Sequence, residues 1–305
     1  TPADLLQVLG ARLGWSDAPA PLIDTIVMQV RGPRVLAALM VGAALALSGA
    51  AFQGLFRNPL VSPDILGVSA GAALGALVGI LFSFGGPGVQ VAAFLGGLLA
   101  VALVYGLAAR AGGDDPPLTL LLTGLVIGAL LGAGAALVKT LADPQQQLPA
   151  MTFWLLGSLA GVRAADLLGL AVALVLGGVA LIALRWTLNP LSLPDDEARS
   201  LGLPTRRLRW VVVAAATLLT AASVAAAGVV GWIGLIVPHA GRMLVGPSFP
   251  RLLPASTLLG AGTLLLVDTL ARSAGPTEIP LGVLTAMIGA PAFLVLLRRS
   301  TRGAP

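Results

Sequence analysis

The chain has 305 residues, of which 57% are apolar and only 10% charged, and its mean hydropathy is +0.97. Soluble domains carry about 25% charged residues because their surfaces face water. A surface this poor in charge faces lipid, so the composition excludes a soluble globular protein. The formal net charge is +5, but the basic residues lie mostly between apolar runs rather than on one face, which disfavours a nucleic-acid partner.

Several kinds of chemistry are excluded by residues that the chain lacks. It has no cysteine, so disulfides, thiolate metal sites and cysteine nucleophiles cannot form. Its only histidine, His239, cannot make a two-histidine metal site. Its only lysine, Lys139, follows a valine, so the glycine–lysine pair of a nucleotide-binding P-loop is missing. We therefore expect no metal site, cofactor or catalytic residue, and any ATP that drives the protein must bind another polypeptide.

Apolar runs set the number of expected membrane crossings, because a bilayer core about 30 Å thick requires roughly 20 apolar residues in a helix. The run at 232–246 is the shortest and contains Pro238, and the segment Met151 to Gly161 is short enough to predict an interfacial or re-entrant helix. The predicted spans lie at residues 34–56, 65–84, 89–109, 118–140, 166–186, 210–230, 232–246, 254–274 and 280–297.

The distribution of arginine predicts the orientation. If the first span runs from outside to inside, about twice as many basic residues fall on the cytoplasmic side as on the outer side, as the positive-inside rule requires. Residues 1–33 then form a periplasmic segment, and the C-terminus is cytoplasmic. Because 1–33 contain neither a span nor a signal peptide, we expect that an earlier helix is missing from this chain.

Two patterns inside the spans concern packing and charge. Glycine every fourth residue places small side chains on one helix face, where backbones can approach closely; we interpret these stripes as packing surfaces, with pathway lining as the alternative. Asp268 and Arg272 lie four residues apart and can neutralise each other, and Asp166 lies at a span end, so no acidic residue stands alone in the middle of the membrane. This disfavours an ion-coupled secondary transporter. The stripes are Gly67, Gly71, Gly75 and Gly79, and Gly124, Gly128 and Gly132.

The longest polar loop, residues 189–209, lies on the predicted cytoplasmic side. Pro194 followed by three acidic residues favours the start of a short helix, and Gly202 favours its end. An apolar edge on this helix would fit a groove in a partner protein; a solvated loop helix without a partner is the alternative. The edge consists of Leu191, Leu193, Ala198 and Leu201.

Several longer motifs resemble the permease family of type II ABC importers for iron–siderophore complexes, haem and cobalamin (FecCD-like permeases), in that family's order. They are Val-Arg-Gly-Pro-Arg (30–34), Gly-Ala-Ala-Leu-Ala-Leu-Ser-Gly (42–49), Gln53, Arg-Asn-Pro-Leu (57–60), Phe-Trp-Leu-Leu-Gly-Ser-Leu-Ala-Gly (153–161), Ser-Leu-Gly-Leu-Pro (200–204), Gly-Leu-Ile-Val-Pro-His-Ala-Gly-Arg (234–242), Leu-Leu-Pro (252–254), Glu-Ile-Pro-Leu-Gly (278–282) and Gly-Ala-Pro-Ala-Phe (289–293). The chain departs from the family at Gly32 and Pro194, and at Pro116-Pro117-Leu118 near the cytoplasmic gate.

The resemblance implies an all-α fold: a polytopic transmembrane helix bundle of ten helices, with the first one missing here, and residues 1–305 forming a single permease domain. It implies a homodimer in the bacterial inner membrane, two copies of an ATP-binding cassette subunit and a periplasmic substrate-binding protein. In the family's pattern Arg31, Arg34 and Arg272 hold acidic residues of the binding protein. The ATPase-coupling residues are Leu191, Leu193, Asp195, Asp196, Glu197, Ala198, Leu201 and Gly202, and 118–140 lies beside the pathway, with Leu125, Ala129 and Ala136 as candidate pathway residues.

The predicted function is therefore that of a transport subunit rather than an enzyme. We expect the chain to translocate haem or another iron chelate, a siderophore complex before cobalamin, by ATP-driven alternating access. An ion-coupled secondary transporter is the alternative function. Without histidine or cysteine in the well-defined spans, a metal-ligating relay along the pathway is not expected, and selectivity would rest with the binding protein.

Overall fold

The computed structural model describes residues 20–111, 116–275 and 277–302 and scattered positions between 7 and 17, with side chains as far as residue 296. Helices are the only regular secondary structure in these ranges, and each of the nine predicted apolar runs contains one. In chain order the helices are α1 (Pro21–Leu55), α2 (Val68–Leu81), α3 (Gly86–Ala111), α4 (Pro116–Leu141), α5 (Gln147–Leu156), α6 (Ala164–Ala183), α7 (Leu188–Leu191), α8 (Asp195–Ser200), α9 (Thr205–Ala227), α10 (Ile233–Val245), α11 (Phe249–Ser273) and α12 (Leu281–Arg302).

Six of these helices are long and apolar enough to cross a membrane: α1, α3, α4, α6, α9 and α11. The others that match predicted spans are shorter. Helix α10 has 13 residues with Pro238 inside it, about 20 Å of helix against a bilayer core of about 30 Å. Helix α2 has 14 residues, because a 3₁₀ turn at Pro63–Leu66 precedes it. The expected count of nine spans, or ten in a whole subunit, remains a prediction.

Helix α1 begins earlier than its apolar run predicts. It starts at Pro21, and Ile26–Arg31 form a π-helical turn that leads into Gly32 and Pro33. Pro33 has no backbone N–H to donate to the preceding turn, and a π-turn lets a helix continue past such a defect. Residues 21–33, predicted to lie outside the first span, are therefore helical and continuous with it.

Helix α1 is also the centre of the bundle, with residues 41–55 almost entirely buried. Its glycines meet the backbones of two other helices: a Cβ on Gly42 would overlap the carbonyl of Gly260 in α11, and one on Gly49 would overlap that of Gly234 in α10. Small residues are typical of membrane helix interfaces because they allow this close approach. The core around α1 therefore combines direct contact between helix backbones with large buried side chains such as Phe52 and Leu55.

The two predicted glycine stripes have different outcomes. In α2, Gly71 and Gly75 pack directly on the backbone of α3 at Gly96 and Ala92, which confirms a packing surface. In α4 the stripe is only partly a packing surface. Gly124 abuts the carbonyl of Ile65, whereas a Cβ on Gly132 would meet nothing within 4 Å. The α4 stripe therefore runs from a helix contact onto an open face.

The predicted interfacial helix is present but starts four residues earlier, as α5 (Gln147–Leu156). Its C-terminal residue is followed by Gly157, which has a φ of +73° that favours glycine. The chain then joins two other elements: Ser158 N–H donates to the carbonyl of Ala227 at 2.8 Å, and Leu281 N–H donates to that of Gly157 at 2.9 Å. Helix α5 is thus fixed against the ends of α9 and α12.

Candidate functional sites: an ion-pair cluster, a loop helix and an open helix face

An ion-pair cluster joins α1 to α11 at the end of the bundle where α11 terminates. Arg34 Nε donates to both carboxylate oxygens of Asp268 at 3.0 and 3.2 Å, and its Nη1 donates to Glu278 Oε1 at 2.7 Å. Arg272 Nε lies 3.1 Å from Asp268 Oδ2. Two guanidinium groups thus meet two carboxylates, and the fully buried Asp268 is held between both arginines. The predicted pairing of Asp268 with Arg272 is confirmed, but Asp268 also pairs with Arg34.

The three arginines that were predicted to dock a binding protein differ in their exposure and in their acidic partners. Arg31 is exposed, and the structure gives it no acidic partner among the described residues. Arg272 is partly exposed beside Asp268. Arg34 is buried, with only 11% of its side chain accessible, and both of its carboxylate partners belong to this chain. In this conformation the three residues do not form one free basic surface.

The predicted coupling segment forms two short helices, α7 and α8, between α6 and α9. Its apolar edge is divided: Leu191 and Ala198 are buried within the chain, whereas Leu193 and Leu201 are exposed. Asp195 accepts a 2.7 Å hydrogen bond from Arg209 Nη2, which fixes α8 to the start of α9. Of the other predicted residues, Asp196, Glu197 and Gly202 are exposed.

The predicted pathway helix α4 packs only one side against its own chain. Leu120, Gly124 and Ile127 are buried, and Gly124 lies against Ile65 in the 3₁₀ turn before α2. The three candidate pathway residues share the opposite, open side. Leu125, Ala129 and Ala136 are all exposed there. The geometry places them together on a face that no described residue of the chain covers.

A polar contact near the other end of α1 was not assigned a role from the sequence. Arg242 in α10 donates to the side-chain oxygen of Gln53, and the amide nitrogen of Gln53 donates to the carbonyl of Leu235 at 3.2 Å. His239 is buried one turn before Arg242, edge-on to Phe293 with ring centroids 6.1 Å apart. These contacts tie α10 to α1 and α12. Gln53 and Arg242 both lie in motifs of the sequence, but their pairing could not be read from them.

Sequence comparison decides the family. The FecCD transport family matches residues 2–299. The chain belongs to the FecCD transport family. It is therefore a permease subunit of an ABC importer of the type II class, a multi-pass membrane protein that has no catalytic role of its own, and the alternative of a secondary transporter is set aside.

Relatives within the FecCD family differ in the cargo that their names state. The molybdate import system permease protein of Haemophilus influenzae is 43% identical over 293 residues, covering 95% of this chain and 87% of the relative. The cobalamin import system permease protein of Halobacterium salinarum is 44% identical over 276 residues, covering 90% and 74%. The hemin transport system permease protein of Yersinia pestis is 40% identical over 299 residues, covering 95% and 88%. Family membership thus leaves the cargo open.

Solved structures support the same fold. One chain, from a transporter described as of metal-chelate type and in an inward-facing conformation, has a TM-score of 0.88 and 41% identity, with 97% of each chain covered. A second chain, PsaBC from Streptococcus pneumoniae in complex with Fab, has a TM-score of 0.60 at 20% identity, covering 90% of this chain and 93% of that one. The second likeness shows the fold alone.

Replacing Asp268 with asparagine should strongly destabilise this FecCD permease. The change leaves the buried Arg34 and the adjacent Arg272 without their shared carboxylate, and breaking a buried ion pair typically costs about 3–5 kcal/mol. Glu278→Gln should cost much less, because Glu278 is 41% exposed. Thermal unfolding of the purified protein in detergent would measure both. Equal melting temperatures for the two variants would contradict the central role assigned to Asp268.

Proposed function

We propose that the chain is the membrane subunit of a binding-protein-dependent importer for haem or another iron chelate in the bacterial inner membrane. Two copies of the chain form the pathway, two ATP-binding cassette subunits bind the cytoplasmic side, and a periplasmic binding protein delivers the cargo. The C-terminus is cytoplasmic, as the distribution of arginine favours. ATP binding and hydrolysis on the partner drive alternating access without chemical change of the cargo.

The open face of α4 is the observation that carries this proposal. The helix is long enough to cross the bilayer, yet one side of it is not covered by any other described part of the chain. Between Leu118 and Leu137 the exposed residues of that side are uncharged, mostly leucine, alanine and glycine. In a two-fold dimer this face supports a pathway wall that binds a large cargo weakly. A wall of this kind leaves selectivity to the binding protein.

A transport assay tests the cargo. The chain, its ATPase partner and the cognate binding protein would be reconstituted in proteoliposomes and offered haem, a ferric siderophore, cobalamin and molybdate in turn. We expect ATP-dependent uptake of haem or the ferric siderophore. Uptake of molybdate or cobalamin alone would overturn the proposed cargo and leave the importer class intact. ATP-independent uptake driven by an ion gradient would overturn the class.

Arg31 is exposed and has no acidic partner among the described residues, which supports its proposed contact with a carboxylate of the binding protein. Arg31→Glu should slow association with that protein at least tenfold at low ionic strength and weaken its salt dependence, because exposed charges act mainly on the rate of association. Arg163→Glu is the matched control, since Arg163 is exposed on the same proposed side. Surface plasmon resonance at several salt concentrations would measure both. An association rate for Arg31→Glu equal to that of the control would remove Arg31 from the docking surface.

Leu201 is the most exposed apolar residue of the proposed coupling segment, at 62%. Leu201→Asp should uncouple ATP hydrolysis from transport, because a carboxylate placed in an apolar groove of the ATPase would lose its hydration. Gln145→Asp adds the same charge to an exposed loop on the other proposed side and is the control. Transport per ATP hydrolysed in proteoliposomes is the measurement. An unchanged ratio for Leu201→Asp would show that this segment does not transmit the motion.

Single cysteines along α4 test the pathway, and the natural absence of cysteine makes the background clean. Cysteines at Leu125, Ala129 and Ala136 should react with water-soluble thiol reagents and crosslink to the second copy, at rates that change when ATP is added. Cysteines at the buried Leu120 and Ile127 should remain unreactive, giving a period near 3.6 residues. Reagents that label no position in any nucleotide state would assign the open face to lipid.

A further inference from the structure

A second polar site lies at the start of α9, away from the ion-pair cluster. A cavity of about 290 Å³ opens between the end of α3, the start of α4 and the segment from α8 to α9. It is lined by three arginines and two hydroxyl side chains, with small apolar residues between them. The polar lining residues, here called the arginine pocket, are Tyr105, Thr119, Arg199, Arg206 and Arg209.

The arginine pocket has more positive than negative charge. Asp195 is the carboxylate that pairs with it, 2.7 Å from Arg209 and 3.8 Å from Arg199. Arg206 has no acidic partner in the described part of the chain, and Nε of the buried Arg209 has no hydrogen-bond partner there. Among the described residues, three guanidinium groups face one carboxylate, which leaves unused donors and net positive charge. Guanidinium groups in such an arrangement favour phosphate, which can accept several of their hydrogen bonds at once.

An apolar groove of about 370 Å³ continues from this pocket along the same two helices. The two cavities share Tyr105, and the groove uses the next turns of α3 and α9, from Leu98 to Gly106 and from Trp210 to Thr217. At 1.5 Å per residue, the eight steps from Arg209 to Thr217 span about 12 Å. One leaflet of a bilayer core is about 15 Å deep. The groove therefore runs roughly as far into the membrane as one acyl chain.

We infer that this cleft binds an anionic phospholipid, with the phosphate in the arginine pocket and an acyl chain in the apolar groove. A membrane phospholipid joins phosphate to hydrocarbon of this length, and it is present in the bilayer around these helices. Trp210 and Tyr105 lie where the pocket meets the groove. Aromatic side chains are enriched at the membrane–water interface, which is where a lipid headgroup joins its acyl chains. Basic pockets between membrane helices on the cytoplasmic side are known to bind lipid headgroups. An acidic side chain of the ATPase could enter the pocket but not the groove between α3 and α9.

The lipid site also affects the proposed coupling segment. The lipid is assigned to the cytoplasmic leaflet because the proposed function places that segment on the cytoplasmic side. Arg199 belongs to α8 and Arg209 to α9, so one phosphate held by both would connect the coupling segment to the membrane helices. The bound lipid would act as an additional brace between α8 and the bilayer. Coupling would then depend on the anionic lipid content of the membrane, whereas cargo recognition would not.

Native mass spectrometry of the chain assembled with its ATPase partner tests the binding site. The complex in detergent would be titrated with phosphatidylglycerol and with phosphatidylcholine. We expect preferential retention of phosphatidylglycerol, about tenfold to thirtyfold weaker in Arg199→Gln/Arg206→Gln, because each arginine near an anionic headgroup contributes appreciably to lipid affinity. Arg207→Gln is the matched control, since Arg207 is exposed on the same turn but does not line the pocket. Arg209 is kept because it anchors Asp195.

A second variant tests the groove without touching any charge. Gly106 lines the groove, and a Cβ added there would meet no atom within 4 Å, so Gly106→Leu should fill the groove and weaken retention of phosphatidylglycerol at least tenfold. Gly262→Leu is the control, because Gly262 is equally open on α11. Retention that Gly106→Leu leaves unchanged, with inorganic phosphate competing fully, would show a free-phosphate site and overturn the lipid assignment.

Other outcomes also decide the proposal. Equal retention of phosphatidylcholine and phosphatidylglycerol would remove the role of the arginines. Retention by the chain alone but not by its complex with the ATPase would identify the pocket as a protein interface and overturn the proposal. Asp114 and Asp115 precede Pro116 in the sequence and lie outside the described residues, so Asp114→Asn/Asp115→Asn is included. Retention in this variant but not in the natural protein would show that these aspartates occupy the pocket, and would overturn the proposal.

Discussion

The structure depends on how closely the backbone of α1 approaches those of α10 and α11. Lipid is as apolar as the helices, so no hydrophobic force holds them together, and association relies on contact area and polar links. Glycine at positions 42 and 49 meets glycine at 260 and 234, which brings the helix backbones into direct contact. The other features of the bundle follow from this arrangement. With α1 at the centre, α4 is left at the edge with an open face, and Arg34 is brought beside Asp268.

The charged side chains inside the bundle also lie in close contact with one another. An isolated charge in a membrane interior is costly, so ionisable groups there pair with one another or face water. The cluster of Arg34, Asp268, Arg272 and Glu278 is electrically balanced and connects α1, α11 and the segment before α12. At the opposite end of α1, the Arg242 guanidinium donates to the side-chain oxygen of Gln53, a polar link with a neutral acceptor. The central helix is thus held by a polar contact at each end and by glycine between them.

The sequence predicted features that depend on local pattern and missed those that depend on distant contacts. Apolar runs located every long helix, and the spacing of Asp268 and Arg272 predicted their pairing, because residues four apart share a helix face. Arg34 lies 234 residues from Asp268, and no pattern along the chain reports that they meet. The coupling segment shows the same limit. Its four apolar residues read as one edge, but Ala198 and Leu191 turn inward, since α8 is held to α9 by Asp195 and Arg209.

The pairing of Arg34 with Asp268 also constrains how the protein can be made. At roughly 5–20 residues per second, a ribosome needs between about 12 and 47 seconds to add 234 further residues after Arg34. During that time α1 is in the membrane without the carboxylate that neutralises its arginine. Arg34 lies near one end of the apolar run, where a long side chain can reach the headgroup region and stay hydrated. Helix α1, which occupies the centre of the finished bundle, is therefore synthesised well before α11. It can take its final place only after α11 has been inserted.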